Sequence, residues 1–532
     1  MSQSPAARTL PDLVREFSAA TPDAEALVST DGDRMTYAQL ERSMLEVSAG
    51  LREQGIGRGD TVGLLAPNLI EWVPTALAVQ ELGARVAAFN TFVKPLELVF
   101  LLEKSQCKTL VVADRVGRHS LLDVLSEVLP ELWEAPPWTA DRYPHLRSVV
   151  LLGADVPPGA TPWSALLGKQ DSLPTASSPD QDAVIVYTSG STARPKAVPL
   201  EHGALVENGF GIGERMQLTA QDRVWLGSPL FWSYGVANAL MATFTHGAAL
   251  VLQTDYTPQA AVDLIERERC TAAYLLPAFL RDLGALPDDQ KSRLSSLETG
   301  LTIGRPDEID VALALGIDGI CNIYGATETY GNCCVTPREM PIELRKSCQG
   351  PPLPGVEVRF SDPDTGELVP EGPAMIEVRG YTTRGYLGEP ELNAKTFTAD
   401  GWYRTGDLGR LLADGSLQFV ARATDMIKTS GINVSPAEVE AFISTIDGVA
   451  QCVVVGAPDL RRDEIVVAFV QPLPGRAIDP DDLIGHCKRN IAAFKVPSRV
   501  HVLESMPLTD TGKIARLELR RIAADNSPAA GG

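Results

Sequence analysis

From about residue 10 to 335 the chain alternates short apolar runs with longer helical patterns, and this alternation restricts the fold more than any other feature. Thr61-Val-Gly-Leu-Leu65, Thr109-Leu-Val-Val112, Ser148-Val-Val-Leu-Leu152, Ala183-Val-Ile-Val186, Ala249-Leu-Val-Leu252 and Ala272-Ala-Tyr-Leu-Leu276 read as strands. Between them, Tyr37–Gln54, Ile70–Leu82, Leu96–Lys104 and Pro258–Arg267 read as helices. The strand runs lack strict alternation of apolar and polar residues, which fits parallel strands buried on both faces and covered by crossover helices. An α/β fold is expected over this region. After about 345 the texture becomes short strands broken by Gly, Pro and Asp: Gly355–Phe360, Ala374–Arg379 and Ser416–Val420, which implies an antiparallel barrel or sheet over about 345–420. A last block, about 425 to 520, reads helix (Pro436–Ile443), strand (Val449–Gly456), strand (Ile465–Gln471), helix (Pro480–Ile491), strand, a small α+β domain.

At 532 residues the chain exceeds the size at which one core keeps growing, so more than one domain is expected. With 47 basic against 68 acidic side chains the net charge is −21, which argues against a nucleic-acid partner. The eight cysteines show no CxxC pair or Cys/His cluster with metal-ligand spacing, and the adjacent Cys333-Cys334 reads as small residues lining a buried strand. No apolar run approaches the roughly 18 residues that span a bilayer, and the first residues lack a basic-then-apolar signal. A reduced, cytoplasmic protein without a membrane partner is expected, as monomer or homodimer.

Chemistry enters with Tyr187-Thr-Ser-Gly-Ser-Thr-Ala-Arg-Pro-Lys196, directly after an apolar run. Small polar residues there offer backbone N–H and hydroxyl donors to an anion, and Arg194 and Lys196 offset its charge. It is not a Walker A loop, because Pro195 precedes Lys196 and Ala197 follows it. Alone, the segment reads as a polar surface turn rather than an anion site. Four further segments follow in order: Tyr324-Gly-Ala-Thr-Glu328; Trp402-Tyr-Arg-Thr-Gly-Asp407; Arg422-Ala-Thr-Asp-Met-Ile-Lys-Thr-Ser-Gly431 with Val434–Glu440; and Pro507-Leu-Thr-Asp-Thr-Gly-Lys-Ile-Ala-Arg516. Each reads as polar residues at a turn. Singly, Glu328 fits a helix-N-terminal acid, Asp407 a turn cap after Gly406, and Lys513 a solvated hairpin residue.

Taken together and in this order, the five segments resemble the adenylate-forming superfamily of acyl-CoA synthetases, aryl-CoA ligases, luciferases and peptide-synthetase adenylation domains. The resemblance covers about residues 10 to 518. It implies a large N-terminal region, residues 1–423, of two α/β subdomains plus a β-barrel, and a small mobile C-terminal domain, residues 424–532. It also implies ATP held by the loop residues Thr188, Ser189, Gly190, Ser191, Thr192 and Lys196, with adenine near Gly304, Arg305, Pro306 and Tyr324. Glu328 matches a residue that helps to hold Mg²⁺, Thr327 one that contacts the α-phosphate, and Asp407 the carboxylate that takes both ribose hydroxyls. Arg422 matches a ribose and phosphate ligand, Lys513 the lysine that the small domain carries in for adenylation, and Gly431 the region presented to the pantetheine thiol. The implied reaction converts a carboxylic acid and ATP to acyl-AMP and pyrophosphate, then transfers the acyl group. Positioning and charge stabilisation supply most of the acceleration, so no Ser/His/Asp triad is needed.

The chain departs from the family pattern at several points. Ala193 and Ala197 stand where glycine is usual, Ala421 precedes Arg422 where glycine is usual, and the hinge position is Thr424, a stiffer β-branched residue. Trp232 stands where many CoA ligases have a gating histidine; it narrows that gate and offers an apolar wall, or is simply a core tryptophan. Ser233 replaces the Asp with which amino-acid-activating members hold an ammonium group. Pocket walls are expected from Tyr234–Leu240, Thr302–Gly304 and Gly325–Cys333, with Ala326 among them. Being mostly small and apolar, they suit a neutral acid of modest size, aromatic, alicyclic or medium-chain. CoA is the expected acceptor. An amine acceptor, giving an amide, a separate carrier protein, and a non-catalytic nucleotide binder are the alternatives.

Overall fold

In the computed structural model, residues 4–525 are described except 135, 170–175, 189–194, 364, 371, 430–431, 460–461, 492 and 510–513. The chain forms two compact units: residues 1–358, 378–403 and 413–417 make one, and 359–377, 404–412 and 418–532 the other.

Two sheets organise the first unit. The larger runs Cys334–Val335, Gly319–Tyr324, Thr299–Thr302, Ala272–Leu275, Arg223–Leu226, Ala249–Leu252, Glu25–Val28 and Arg34–Thr36. Its six inner strands pair parallel, and only the two edge strands are antiparallel. The second sheet runs Lys196–Glu201, Asp182–Thr188, Arg85–Ala88, Thr61–Leu65, Thr109–Ala113, Ser148–Leu152 and Thr161–Pro162. There every pairing is parallel except the first, which is a hairpin. All five residues of Thr61–Leu65 and of Thr109–Ala113 are buried, as an apolar run without alternation demands when helices cover both faces. One covering helix, Trp72–Glu81, is buried at every residue and packs on Tyr37–Glu53, whose start is fixed by reciprocal Thr36 and Gln39 hydrogen bonds. The predicted α/β architecture is therefore present.

Asn68, buried in the loop after Thr61–Leu65, ties the two sheets together. Its amide nitrogen donates to the carbonyls of Ser228 (3.0 Å) and Gln253 (3.2 Å), and its Oδ1 accepts from Leu230 N–H (2.8 Å). These carbonyls lie just past the carboxyl ends of parallel strands, the side of an open α/β sheet on which ligands are bound.

The region expected as a β-barrel is a four-stranded sheet, Glu357–Ser361, Ala374–Arg379, Tyr403–Leu411 and Leu417–Arg422 in that order. Among the described residues no pairing joins its first strand to its last, so it does not close; four short strands are too few to curl into a filled barrel. Buried Glu377 anchors it, accepting from Arg359 Nε (2.7 Å), Arg404 Nε (3.2 Å) and Ser361 Oγ (2.9 Å). The second unit also holds a five-stranded sheet built on the long antiparallel pair Val449–Asp459 and Asp463–Pro472, with Arg499–Val502 parallel to the latter. Helices Pro436–Ile443 and Pro480–Asn490 contribute to the core on one face, and Arg516–Asp525 to that on the other.

Candidate active site

In the first unit the site is built from a hairpin, a turn and a strap. The hairpin pairs Asp182–Thr188 with Lys196–Glu201, in a register that sets Thr188 opposite Lys196 and Tyr187 opposite Ala197. Both ends of the phosphate-loop segment are thus fixed by a β-ladder. Ser189, Gly190, Ser191 and Thr192, with Ala193 and Arg194, lie outside the described residues. Ala197 is a buried strand residue with ordinary backbone, so its replacement of glycine bears on the ladder rather than on the loop.

The turn follows Gly319–Tyr324, so Tyr324 sits at the carboxyl end of a parallel strand. Gly325 is required there: a Cβ would stand 2.3 Å from the carbonyl oxygen of Gly331. Ala326 closes the turn, its N–H donating to Thr329 Oγ1 (2.9 Å) and its carbonyl accepting from Thr329 N–H (3.0 Å) and Gly331 N–H (2.9 Å). This short 3₁₀ turn, Thr327–Thr329, carries Glu328, which is buried. A helix dipole does not hold it. Glu328 Oε1 accepts a 2.7 Å hydrogen bond from the hydroxyl of Tyr386. Thr327 Oγ1 meets Ser233 Oγ at 3.1 Å, which joins the residue expected at the α-phosphate to one expected at the acid.

The strap is the segment 383–387. Thr383 N–H donates to Glu328 O (2.8 Å), Thr383 Oγ1 to Pro199 O (2.7 Å), and Leu387 N–H to Ala197 O (3.0 Å). Arg384 pairs with Asp182 and Glu201, both at 2.7 Å, on the two strands of the hairpin. Tyr386 is buried, and Lys196 Nζ lies 4.8 Å from the centroid of its ring. Such a cation–π contact is worth about 0.5–2 kcal/mol. Among the described residues no carboxylate pairs with Lys196. Burial, then the neighbouring Glu328 charge, push the Tyr386 hydroxyl up from its ordinary range, so it stays protonated and donates. Sequence reasoning missed Tyr386, because it lies in none of the five segments and 58 positions separate it from Glu328.

The remaining candidates of the first unit divide between the sheet ends and the surface. Gly304 follows Thr299–Thr302 and is clasped by buried Asn322, which accepts from Gly304 N–H (3.2 Å) and donates to Gly304 O (3.1 Å). Asn322, one strand over, also went unread. Arg305 and Pro306 are exposed at the start of the helix Pro306–Ala314, where the Arg305 guanidinium pairs with Asp307 (3.3 Å) and Glu308 (3.8 Å). Trp232 is half-buried with its ring centroid 5.9 Å from that of Phe231, so it is not a core tryptophan. Tyr234 opens a buried π-helical stretch, Tyr234–Ala239; its hydroxyl donates to Leu301 O (2.6 Å) and its ring meets Tyr274 edge-on at 5.1 Å. All eight cysteines are buried and unpaired, Cys333 and Cys334 included.

In the second unit Asp407 lies within the strand Tyr403–Leu411, not at the turn expected from Gly406. Paired neighbours extend the chain through that glycine, whose positive φ of 76° a side chain would strain. Asp407 N–H donates to Thr405 Oγ1 (3.0 Å), which in turn donates to Ile376 O (2.8 Å). The carboxylate is buried, and Arg422 Nε stands 3.1 Å from Oδ1. Thr424 lies in the turn Ala423–Asp425, directly before a pair in which Arg520 holds Asp425 at 2.9 Å. Gly431 and Lys513 are outside the described residues, although Leu508 and Ile514 flank the latter as an antiparallel bridge.

Among the described residues no group of three or more His, Cys, Asp or Glu side chains forms a ready metal cage, and no helix is long and apolar enough to cross a membrane. The buried carboxylate of Glu328 fits a hard cation whose other ligands would come from phosphate and water.

Comparison with known proteins places residues 14–387 under a family model described as AMP-binding enzyme, and residues 438–513 under the AMP-binding enzyme C-terminal domain. A putative acyl-CoA synthetase, YngI of Bacillus subtilis, is 32% identical, with 96% of each chain covered. Among solved structures, ATP-bound MatB from Rhodopseudomonas palustris matches with a TM-score of 0.84 at 25% identity, covering 97% of this chain and 99% of that one. The amide bond synthetase McbA from Marinactinospora thermotolerans matches with a TM-score of 0.82 at 26% identity, covering 96% and 99%.

Proposed function

Because the chain belongs to the AMP-binding enzyme family, we propose that it is an ATP-dependent acid–CoA ligase that works through an acyl-AMP. The observation that carries this reading is the meeting, on one strap, of the lysine that ends the phosphate-loop segment and the buried Glu328 carboxylate. A polyphosphate with its counter-cation needs that pair of opposite charges side by side.

In this reading Thr188, the loop hydroxyls and Lys196 hold the phosphates, while Tyr324 and Gly304–Pro306 border the adenine. Asp407 accepts from both ribose hydroxyls, and Arg422 balances its charge. Glu328 would help to hold Mg²⁺, which when bound offsets charge on the departing pyrophosphate, and Thr327 contacts the α-phosphate. The substrate carboxylate oxygen attacks the α-phosphorus and the bond to pyrophosphate breaks, with Lys513 stabilising the charge that develops. The CoA sulfur then bonds to the acyl carbon and AMP departs. Residues 1–423 and 424–532 act as the two bodies, and rotation about Thr424 exchanges Lys513 for the face near Gly431 between the half-reactions. Trp232, Ser233, Tyr234, Gly325 and Ala326 border the acid, a neutral one of modest size.

Likeness to an amide bond synthetase favours one second reading, in which an amine takes the acyl group. Mass spectrometry of products from a panel of acids, offered CoA in one arm and amino acids in the other, separates the two. Thioester masses in the CoA arm are expected; amides alone overturn CoA as acceptor, and neither product overturns the ligase reading.

A further inference from the structure

Lys196 and Glu328 carry opposite charges, and one neutral side chain touches both. Resting on the ligase reading, we propose that Tyr386 is a positioning residue that fixes Lys196 and Glu328 in place while keeping them from neutralising each other. Its ring face holds the Lys196 ammonium, 4.8 Å from the centroid, and its hydroxyl donates to Glu328 Oε1 at 2.7 Å. A lysine and a glutamate free to meet form an ion pair, which must be broken before the cation can take a phosphate or the carboxylate a metal ion. With the phenol between them each is held through a neutral group, and among the described residues no ion pair joins them. One Glu328 oxygen is committed to Tyr386, and among the described residues no hydrogen bond reaches the other.

The backbone around Tyr386 is anchored to both partners. Thr383 N–H reaches the carbonyl of Glu328 itself, and Leu387 N–H the carbonyl of Ala197, the neighbour of Lys196. Tyr386 is clasped in turn by Asn393, whose Oδ1 accepts from Tyr386 N–H (2.8 Å) and whose Nδ2 donates to Tyr386 O (2.9 Å). Movement of the hairpin end or of the Glu328 turn is therefore transmitted to the other through this residue.

Tyr386→Phe keeps the ring and removes the donor, whereas Tyr386→Leu removes both. Two readouts separate positioning from simple stability: retention of Mn²⁺ by the enzyme–ATP complex, followed by electron paramagnetic resonance, and KM for ATP against kcat in acid-dependent ATP–pyrophosphate exchange. Tyr386→Phe is expected to weaken Mn²⁺ retention about tenfold, as loss of a hydrogen bond to a charged group does, with KM for ATP within about twofold of wild type. Tyr386→Leu is expected to weaken both. Wild-type metal retention in Tyr386→Phe, or a fall in kcat with an unmoved Mn²⁺ titration, overturns the proposal. Should Tyr386→Leu not fold, the two Tyr386→Phe readouts decide alone. A wild-type enzyme that binds no ATP fails earlier and overturns the ligase reading instead.

Discussion

Glu328 and Asp407 are both buried carboxylates, and the molecule holds them in opposite ways. Glu328 accepts from a phenol and, among the described residues, pairs with no cation, while Asp407 faces the guanidinium of Arg422. In the proposed ligase the difference follows the ligand each would take. A carboxylate that receives a metal ion is left electrically open, because a protein cation beside it would compete with the metal. One that receives two neutral ribose hydroxyls needs its charge offset, because hydroxyl donors alone do not repay removal of an anion from water. Local partners thus distinguish two acids that look alike in a list of buried residues.

The largest effect sharpens this contrast by adding Lys513, which in the proposed reaction acts only in the transition state. Lys513→Ala is expected to lower acyl-AMP formation by about 10³-fold while leaving thioester formation from supplied acyl-AMP within a few-fold, measured as separate half-reactions. Equal loss in both would count against alternation of the two bodies. Next come the two carboxylates. Glu328→Gln should lower exchange about 10²-fold and raise the Mg²⁺ concentration needed for half-maximal rate, whereas Asp407→Asn should raise KM for ATP about tenfold with an unchanged Mg²⁺ requirement. If the metal dependence shifts in Asp407→Asn and not in Glu328→Gln, the comparison is broken. The smallest effect belongs to Arg422, whose side chain is 63% exposed. Arg422→Gln should raise KM for ATP only about threefold, and less at high salt, because an exposed pair is screened.

The scaffold was more legible than the site. Thr61–Leu65, Ser148–Leu152 and Ala249–Leu252 form strands at the residues read from their unbroken apolar runs. Thr299–Thr302 and Gly319–Tyr324 went unread, since Gly300, Gly319 and Asn322 interrupt their strand-favouring Thr, Ile and Tyr residues and pairing with neighbours imposes extension on them. Asp407 was read as a turn residue for the related reason that Gly406 outweighs its surroundings locally, while the ladder decides the structure. The order of the five segments pointed to Thr327, Glu328 and Lys196 because each lies in a recurrent local pattern. Tyr386 and Asn322 lie in none; their roles arise from contacts across the fold, which sequence spacing does not encode.

Pyrophosphate exchange into ATP, driven by a panel of carboxylic acids with no acceptor present, tests the central claim most directly. At least one neutral acid of modest size should drive exchange in the wild-type enzyme, and Glu328→Gln should lose most of it. Absence of acid-dependent exchange across the panel, from an enzyme shown to be folded, would contradict the account.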